Sequence, residues 1–374
     1  ATVDGSGVAS NAAPAAAVRY PRQWNMRAVQ ADAAWAHGFL GLPGVTIFML
    51  DTGIDYLHAD LVGRVDATRS VDLLGTFDAP AVVGKDTVIV PFTESDSVNK
   101  YFPGRLPFTD LFFHGTHTAA TVSSNAARAA GITSNTKLVA VKVCGYINEC
   151  PFSSILNGVI YAANNGADVI NMSLGGPFPK AGNGRFVGLI NQVFNYARSK
   201  GVTIVVAAGN DATDLDHDSN SYASFCNTAA VICVSATGPT AQTTVNGPWT
   251  DVDAPSYFTN FGRSAIDVAA PGGNNDITFV WAACSETIYP PLAAARHLDA
   301  CLTAPVFVIG LEGTSMAAPH VAGTAALLVS VLGRNPSQIK ARIQQTADKV
   351  AGNGTTPFYG KGRLNVARAV GAIP

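Results

Sequence analysis

The stretch VTIFMLDTGID at 45–55 opens with six apolar or β-branched residues and closes with a carboxylate among small, turn-forming residues. A strand with one wet face alternates apolar and polar side chains. This run does not, so it reads as a strand covered on both sides. The same texture returns in LVAVKV at 138–143, DVINMSL at 168–174, VTIVVA at 202–207 and VICV at 231–234. Between these runs lie segments of helical period at 26–37, 153–165, 186–200, 316–332 and 336–348. Strand and helix in alternation imply right-handed crossovers. The expected fold is α/β and three-layered, with a mostly parallel central sheet and helices on both faces.

Composition agrees with a large core. Of 374 residues, 48% are apolar and only 13% charged, against about 25% charged in ordinary soluble domains. A formal charge of −2 offers no basic face for a phosphate backbone, which argues against a nucleic-acid partner. The most apolar stretch, 321–332, is interrupted by Gly323 and Thr324, so no membrane span is expected. Residues 1–19 are mostly Ala, Gly, Ser and Val without period and read as a loosely attached arm. The remainder, 20–374, reads as one domain, with surface excursions near 64–113, 237–259 and 284–305. Six cysteines fall as close pairs, Cys144 with Cys150, Cys226 with Cys233 and Cys284 with Cys301, none at a zinc-ligand spacing. Oxidised local loops are the expected state, with buried free thiols the alternative, and they place the chain outside the cytosol.

Three segments hold polar residues where strands end or helices begin. In DTGID, Asp51 stands at the carboxyl end of a parallel strand, where open α/β sheets place their sites; a plain turn is the competing reading. In HGTH at 114–117 the two histidines lack the i, i+4 placement and the Glu of a zinc protease. In GTSMAAPHVAG at 313–323, Ser315 stands at the mouth of an Ala- and Gly-rich helix, with Pro319 read as lying near its first turn. Such a Ser is commonly a cap, yet it also lies in the positive field of the helix dipole. Together these segments supply Asp, His and Ser in that order. A hydroxyl becomes a nucleophile at neutral pH when an imidazole removes its proton and a carboxylate fixes the imidazole's tautomer. The order Asp, His, Ser is that of subtilisin.

These three segments resemble the signature segments of the subtilisin-like serine proteases, the subtilases. The resemblance implies that Asp51 is the orienting acid, His114 the general base and Ser315 the nucleophile, with His117 structural. VVAAGND at 205–211 resembles the family's oxyanion segment, which implies that Asn210 donates its amide beside the Ser315 N–H. NMSLGG at 171–176 resembles the substrate-binding strand, with Ser173, Leu174, Gly175 and Gly176 pairing with an extended peptide and Gly209 also in the substrate site. AIDVAAPG at 265–272 resembles a segment whose Asp binds calcium with loop carbonyls, here Asp267 with Ala229 and Val231. No cofactor enters the chemistry. The likeness runs from about residue 20 to FYGKGRLNVARAV at 358–370. Subtilases are usually made with an inhibitory propeptide, so the chain has the look of a mature form.

Two departures stand out. The interval before HGTH is long and brings Phe102, Phe108, Phe112 and Phe113, which either line a cleft or pin the insertion to the core. The segment after it, SSNAARAAG at 123–131, lacks the Asn-rich calcium loop of many relatives, leaving Asp60 without that setting. DATDLDHDSN at 211–220 reads as a solvated loop or an acidic rim. The implied activity is secreted, broad-specificity endopeptidase action by a monomer on polypeptides. The alternatives are an inactive binding protein on the same scaffold, which would need a replaced triad residue, and an esterase or acyltransferase, against which the missing G-x-S-x-G speaks.

Overall fold

The structure, a computed structural model, describes residues 13–83, 86–146, 149–290 and 307–374. Seven strands form one sheet: β1 (Thr46–Asp51), β2 (Val71–Asp72), β3 (Lys137–Lys142), β4 (Val169–Met172), β5 (Thr203–Ala207), β6 (Val231–Thr237) and β7 (Val268–Pro271), in the order β7-β6-β5-β4-β1-β3-β2. Every neighbouring pair is parallel. The missing polar alternation has a direct cause. Ile47 and Met49 point into one core while Phe48 and Leu50 point into another, on the opposite face. A strand whose odd and even side chains are both buried has no reason to alternate.

Helices cover both faces. Phe152–Asn164 (α2) and Gly184–Ser199 (α3) pack on the Phe48 side through Ile155, Val159, Ile190 and Phe194. His114–Val122 (α1), Thr314–Leu332 (α4) and Pro336–Thr346 (α5) pack on the Ile47 side. Helix α4 has the length and apolar character of a membrane span, yet it is mostly buried against the sheet. Its face is built from Ala317, Ala318, Ala322, Ala325 and Ala326, so the helix settles close to the strands, while Leu327 and Leu328 fill the remaining depth. Truncating either leucine to Ala would cost about 2–5 kcal/mol.

Several expectations are refined. The segment expected to be one helix over 26–37 is two short helices, Trp24–Ala28 and Ala31–Ala36, because Gln30 adopts a left-handed conformation with φ 56°. Pro319 lies in the second turn of α4, not its first. Within 13–19, expected to belong to a loose arm, Pro14 and Ala17 are buried and the Arg19 N–H donates to the Arg128 carbonyl at 2.8 Å, so these points anchor a segment that is otherwise exposed. The insertion over 64–113 has structure of its own. It supplies edge strand β2, a hairpin of Phe77–Val83 with Asp86–Phe92, and a helix at Glu94–Tyr101 closed by a Thr93–Asp96 capping box. Phe108 lies in the main core, while Phe112 and Phe113 pack with Cys284 and Ile288, so these rings pin the insertion. A buried ion pair, Lys142 Nζ to Glu94 Oε2 at 2.7 Å, ties the same insertion to the sheet edge. Disulfides join Cys144 to Cys150 and Cys226 to Cys233. The expected pairing of Cys284 with Cys301 falls outside the described residues, because Cys301 lies in 291–306.

Candidate active site

The carboxyl ends of the central strands deliver the site. Asp51 is the last residue of β1, Ser173 follows β4, and Asn210 follows β5 by three positions. Asp51 is 1% exposed and accepts on both oxygens. Oδ1 takes the His114 Nδ1–H at 2.7 Å and the Thr52 N–H at 2.8 Å, and Oδ2 takes the Thr118 hydroxyl at 3.0 Å. The bond to Asp51 assigns the proton to Nδ1, which leaves His114 Nε2 as a free acceptor. Burial pushes the imidazole pKa down, but the Asp51 charge and hydrogen bond, aided by the Asp110 charge, outweigh it and hold the pKa above the usual histidine value. Gly115 lets the two segments meet: a Cβ there would stand 2.1 Å from the Gly53 carbonyl oxygen.

Asp110 is a residue that motif reading passed over. It is fully buried and accepts from the Thr52 hydroxyl at 2.9 Å, the Phe112 and Thr116 N–H groups at 2.9 Å each, and the Thr116 hydroxyl at 2.6 Å. Thr52 in turn accepts the Gly115 N–H at 2.9 Å. The carboxylate therefore clamps DTG to HGT, although burial pushes its pKa up to about 6. The only sequence signal was a lone acid among phenylalanines.

Ser315 is the second residue of α4. Its Oγ donates to the Ser173 carbonyl at 3.1 Å, and the Ser173 hydroxyl donates to the Ser315 carbonyl at 2.7 Å. Among the described residues no hydrogen bond joins Ser315 to His114, a common state before substrate tightens a site. Asn210 is held by its oxygen. Oδ1 accepts the Thr314 N–H at 2.9 Å and the Thr314 hydroxyl at 2.8 Å, which turns Nδ2 away as a donor. A Cβ built on Gly313 would stand 3.5 Å from Asn210 Nδ2 and 3.6 Å from the Ser315 nitrogen, so the two nitrogens lie close to one point. The loop itself is clasped by buried Asn260. Its oxygen accepts the Asp211 and Thr213 N–H groups at 3.0 and 2.9 Å, and its amide donates to the Ala208 carbonyl at 2.9 Å. Thr314 lies inside GTSMAAPHVAG but carries no role readable from the sequence, and Asn260 carries no signal.

Asp51, His114, Asn210 and Ser315 line one cavity of about 260 Å³ together with Ser173, Leu174, Gly175, Gly176 and Gly209. All the residues expected in the triad, oxyanion and substrate segments are thus brought together. Cys144 and Cys150 line it too. His117 stands apart: buried, it donates through Nε2 to the Val280 carbonyl at 3.1 Å, and its pKa is pushed down to about 3 chiefly by burial. The acidic run is a paired surface loop, with His217 on Asp214, Lys180 on Asp218, and Asp216 accepting from Ser264.

The expected calcium ligands are arranged differently. Asp267 Oδ2 meets Lys340 Nζ at 2.8 Å and the Cys233 N–H at 2.9 Å, and Oδ1 accepts from Gln344 at 2.9 Å. The Val231 carbonyl also accepts from Lys340 Nζ, at 2.8 Å. Hydrogen-bond donors occupy the Asp267 and Val231 acceptors a metal would need, so the set of Asp267, Ala229 and Val231 does not fit a calcium ion.

The model of the subtilase family matches residues 43–362. The chain belongs to the subtilase family. Thermitase from Thermoactinomyces vulgaris is 33% identical, over 93% of this chain and 96% of its own length. Subtilisin BL from Lederbergia lenta is 32% identical, over 92% and 97%. Among solved structures, a protease from Pseudoalteromonas arctica superposes with a TM-score of 0.64 at 27% identity, covering 95% of this chain and 98% of that one. This subtilase is accordingly a serine endopeptidase, a hydrolase of peptide bonds.

Proposed function

We propose that this subtilase cuts polypeptides through an acyl-enzyme on Ser315. His114 Nε2 takes the Ser315 proton as Oγ attacks the scissile carbonyl, and Asp51 holds the imidazolium that forms. Asn210 Nδ2 and the Ser315 N–H bind the resulting oxyanion. His114 then returns the proton to the leaving amine, and water, activated by the same imidazole, hydrolyses the ester. The observation that carries this reading is the proximity of Asn210 Nδ2 and the Ser315 nitrogen to one point, in a cavity that Ser315 lines together with the 2.7 Å Asp51–His114 pair. The helix dipole of α4 adds to the same stabilisation.

An extended substrate adds a strand along Ser173 to Gly176, and Gly209 borders the same cavity. No cofactor enters the chemistry, since side chains and backbone supply each role. Residues 20–374 act as one catalytic domain with broad specificity. The disulfides support secretion, and maturation from an inhibitory propeptide followed by action as a monomer completes the reading. An inactive binding scaffold is disfavoured by the intact triad. Hydrolysis of unfolded casein, abolished by a serine-directed phosphonyl fluoride and by Ser315→Ala, is the test. Absence of hydrolysis in correctly folded protein would exclude the proposal.

A further inference from the structure

We infer that the Lys340 ammonium serves this subtilase as a built-in structural cation, in the position where its relatives' segment implied a metal. Calcium takes six to eight oxygen ligands at about 2.3–2.6 Å. Around Asp267 the oxygens are instead met by nitrogen donors. Lys340 Nζ stands 2.8 Å from Asp267 Oδ2 and 2.8 Å from the Val231 carbonyl, bridging a carboxylate and a carbonyl as a bound cation does. Gln344, one turn further along α5, donates to the other carboxylate oxygen. The Cys233 N–H completes the set. Ala229 lines the cavity of about 480 Å³ beside the pair.

The location gives the ammonium its work. Asp267 directly precedes β7, Val231 begins β6, and Lys340 and Gln344 belong to α5, so one cation fastens two strands of the sheet to the helix that covers them. Asp267 is largely buried and the Lys340 side chain is 28% exposed, so the pair is shielded more than a surface bridge. A metal dissociates when the free ion is scarce. A side chain does not. Buried Asp60, the other carboxylate for which the family resemblance raised a calcium setting, is likewise met by nitrogen donors, here the backbone N–H groups of Arg128 and Ala129 at 2.7 and 3.1 Å.

Thermal unfolding of protein blocked by a phosphonyl fluoride, which prevents self-digestion, tests this in excess chelator and in millimolar Ca²⁺. The wild-type midpoint is expected to be the same in both. Lys340→Ala should unfold several degrees lower, with Ca²⁺ restoring part of the loss, and Lys340→Arg should keep the wild-type midpoint. A wild-type midpoint that drops on chelation, with the drop absent in Asp267→Asn, overturns the inference. So does a Lys340→Ala midpoint equal to wild type, or a loss that no cation restores. Should Lys340→Ala fail to fold, radiolabelled calcium retained by wild type and lost by Asp267→Asn is the overturning result, and no Asp267-dependent binding is the supporting one.

Discussion

The Ser173 hydroxyl donates at 2.7 Å to the Ser315 carbonyl, which Pro319 leaves without its helical partner. In an uninterrupted helix the N–H of residue 319 would bond that carbonyl, but proline has none. Ser173 thus supplies across the cleft what the helix cannot supply itself. Ser173→Ala should orphan a partly buried acceptor at a cost of about 1–3 kcal/mol and lower kcat. Adding Pro319→Ala, which restores an N–H, should recover part of the loss. Steady-state kinetics of the two single variants and the double decide it; independent, additive effects would show that the two residues do not share the carbonyl.

Replacing Asn210 with Leu removes a donor whose acceptor exists only in the transition state. We expect kcat to fall about 10²–10³-fold, the loss known for such a donor in subtilisin, with KM nearly unchanged. A raised KM at constant kcat would assign Asn210 to substrate binding instead.

The acid limb of kcat/KM reports His114. Activity requires the neutral imidazole, so it is lost as pH falls through the pKa, which the Asp51 and Asp110 charges hold above the ordinary value of 6.5. The expected limb therefore lies above pH 6.5. The stability linked to this histidine has the opposite sense: present in full below about 6.5 and lost as pH rises through the folded-state pKa. A limb centred below 6.5 would contradict the electrostatic arrangement.

Asp110→Asn should move that limb to lower pH, because it removes a negative charge that raises the His114 pKa. It should also lower the unfolding midpoint, since an amide cannot accept at every point where the carboxylate does. A lowered midpoint with an unmoved pH profile would make Asp110 a structural residue alone.

Reduction of Cys144–Cys150 should raise KM, since both cysteines border the cavity and the bond restrains that wall. Peptide mapping without reductant should recover Cys144 with Cys150 and Cys226 with Cys233. Any other partner would sink the local pairing, and an unchanged KM after selective reduction would show that the wall holds without the bond.

What could be read in advance divides along a physical line. Five of the seven sheet strands were legible, within three residues at their ends, because burial on both faces leaves an unmistakable apolar run, whereas the two-residue edge strand β2 and the short β7 were not. The Asp51, His114, Ser315 and Asn210 segments were legible because their chemistry requires particular residues in small-residue surroundings. Asp110, Thr314 and Asn260 were not. Each makes a hydrogen bond to a group distant in sequence, Asp110 with the Thr52 hydroxyl, Thr314 with Asn210 and Asn260 with the backbone around Asn210, and such partners appear only when the chain is folded. Lys340 is the sharpest case: a helical lysine in a polar stretch looks solvent-bound until Asp267 and Val231 are beside it.

The nucleophile rides on α4, which is laid across the finished strands, and His320 in the same helix meets Asn25 at 2.8 Å. During synthesis, Asp51 and His114 emerge long before residue 315, and the trough that α4 will occupy stays empty until residues 314–332 have followed. A half-made molecule therefore holds an acid and a base with nothing to activate. In the order in which the ribosome delivers the pieces, the blade is fitted last.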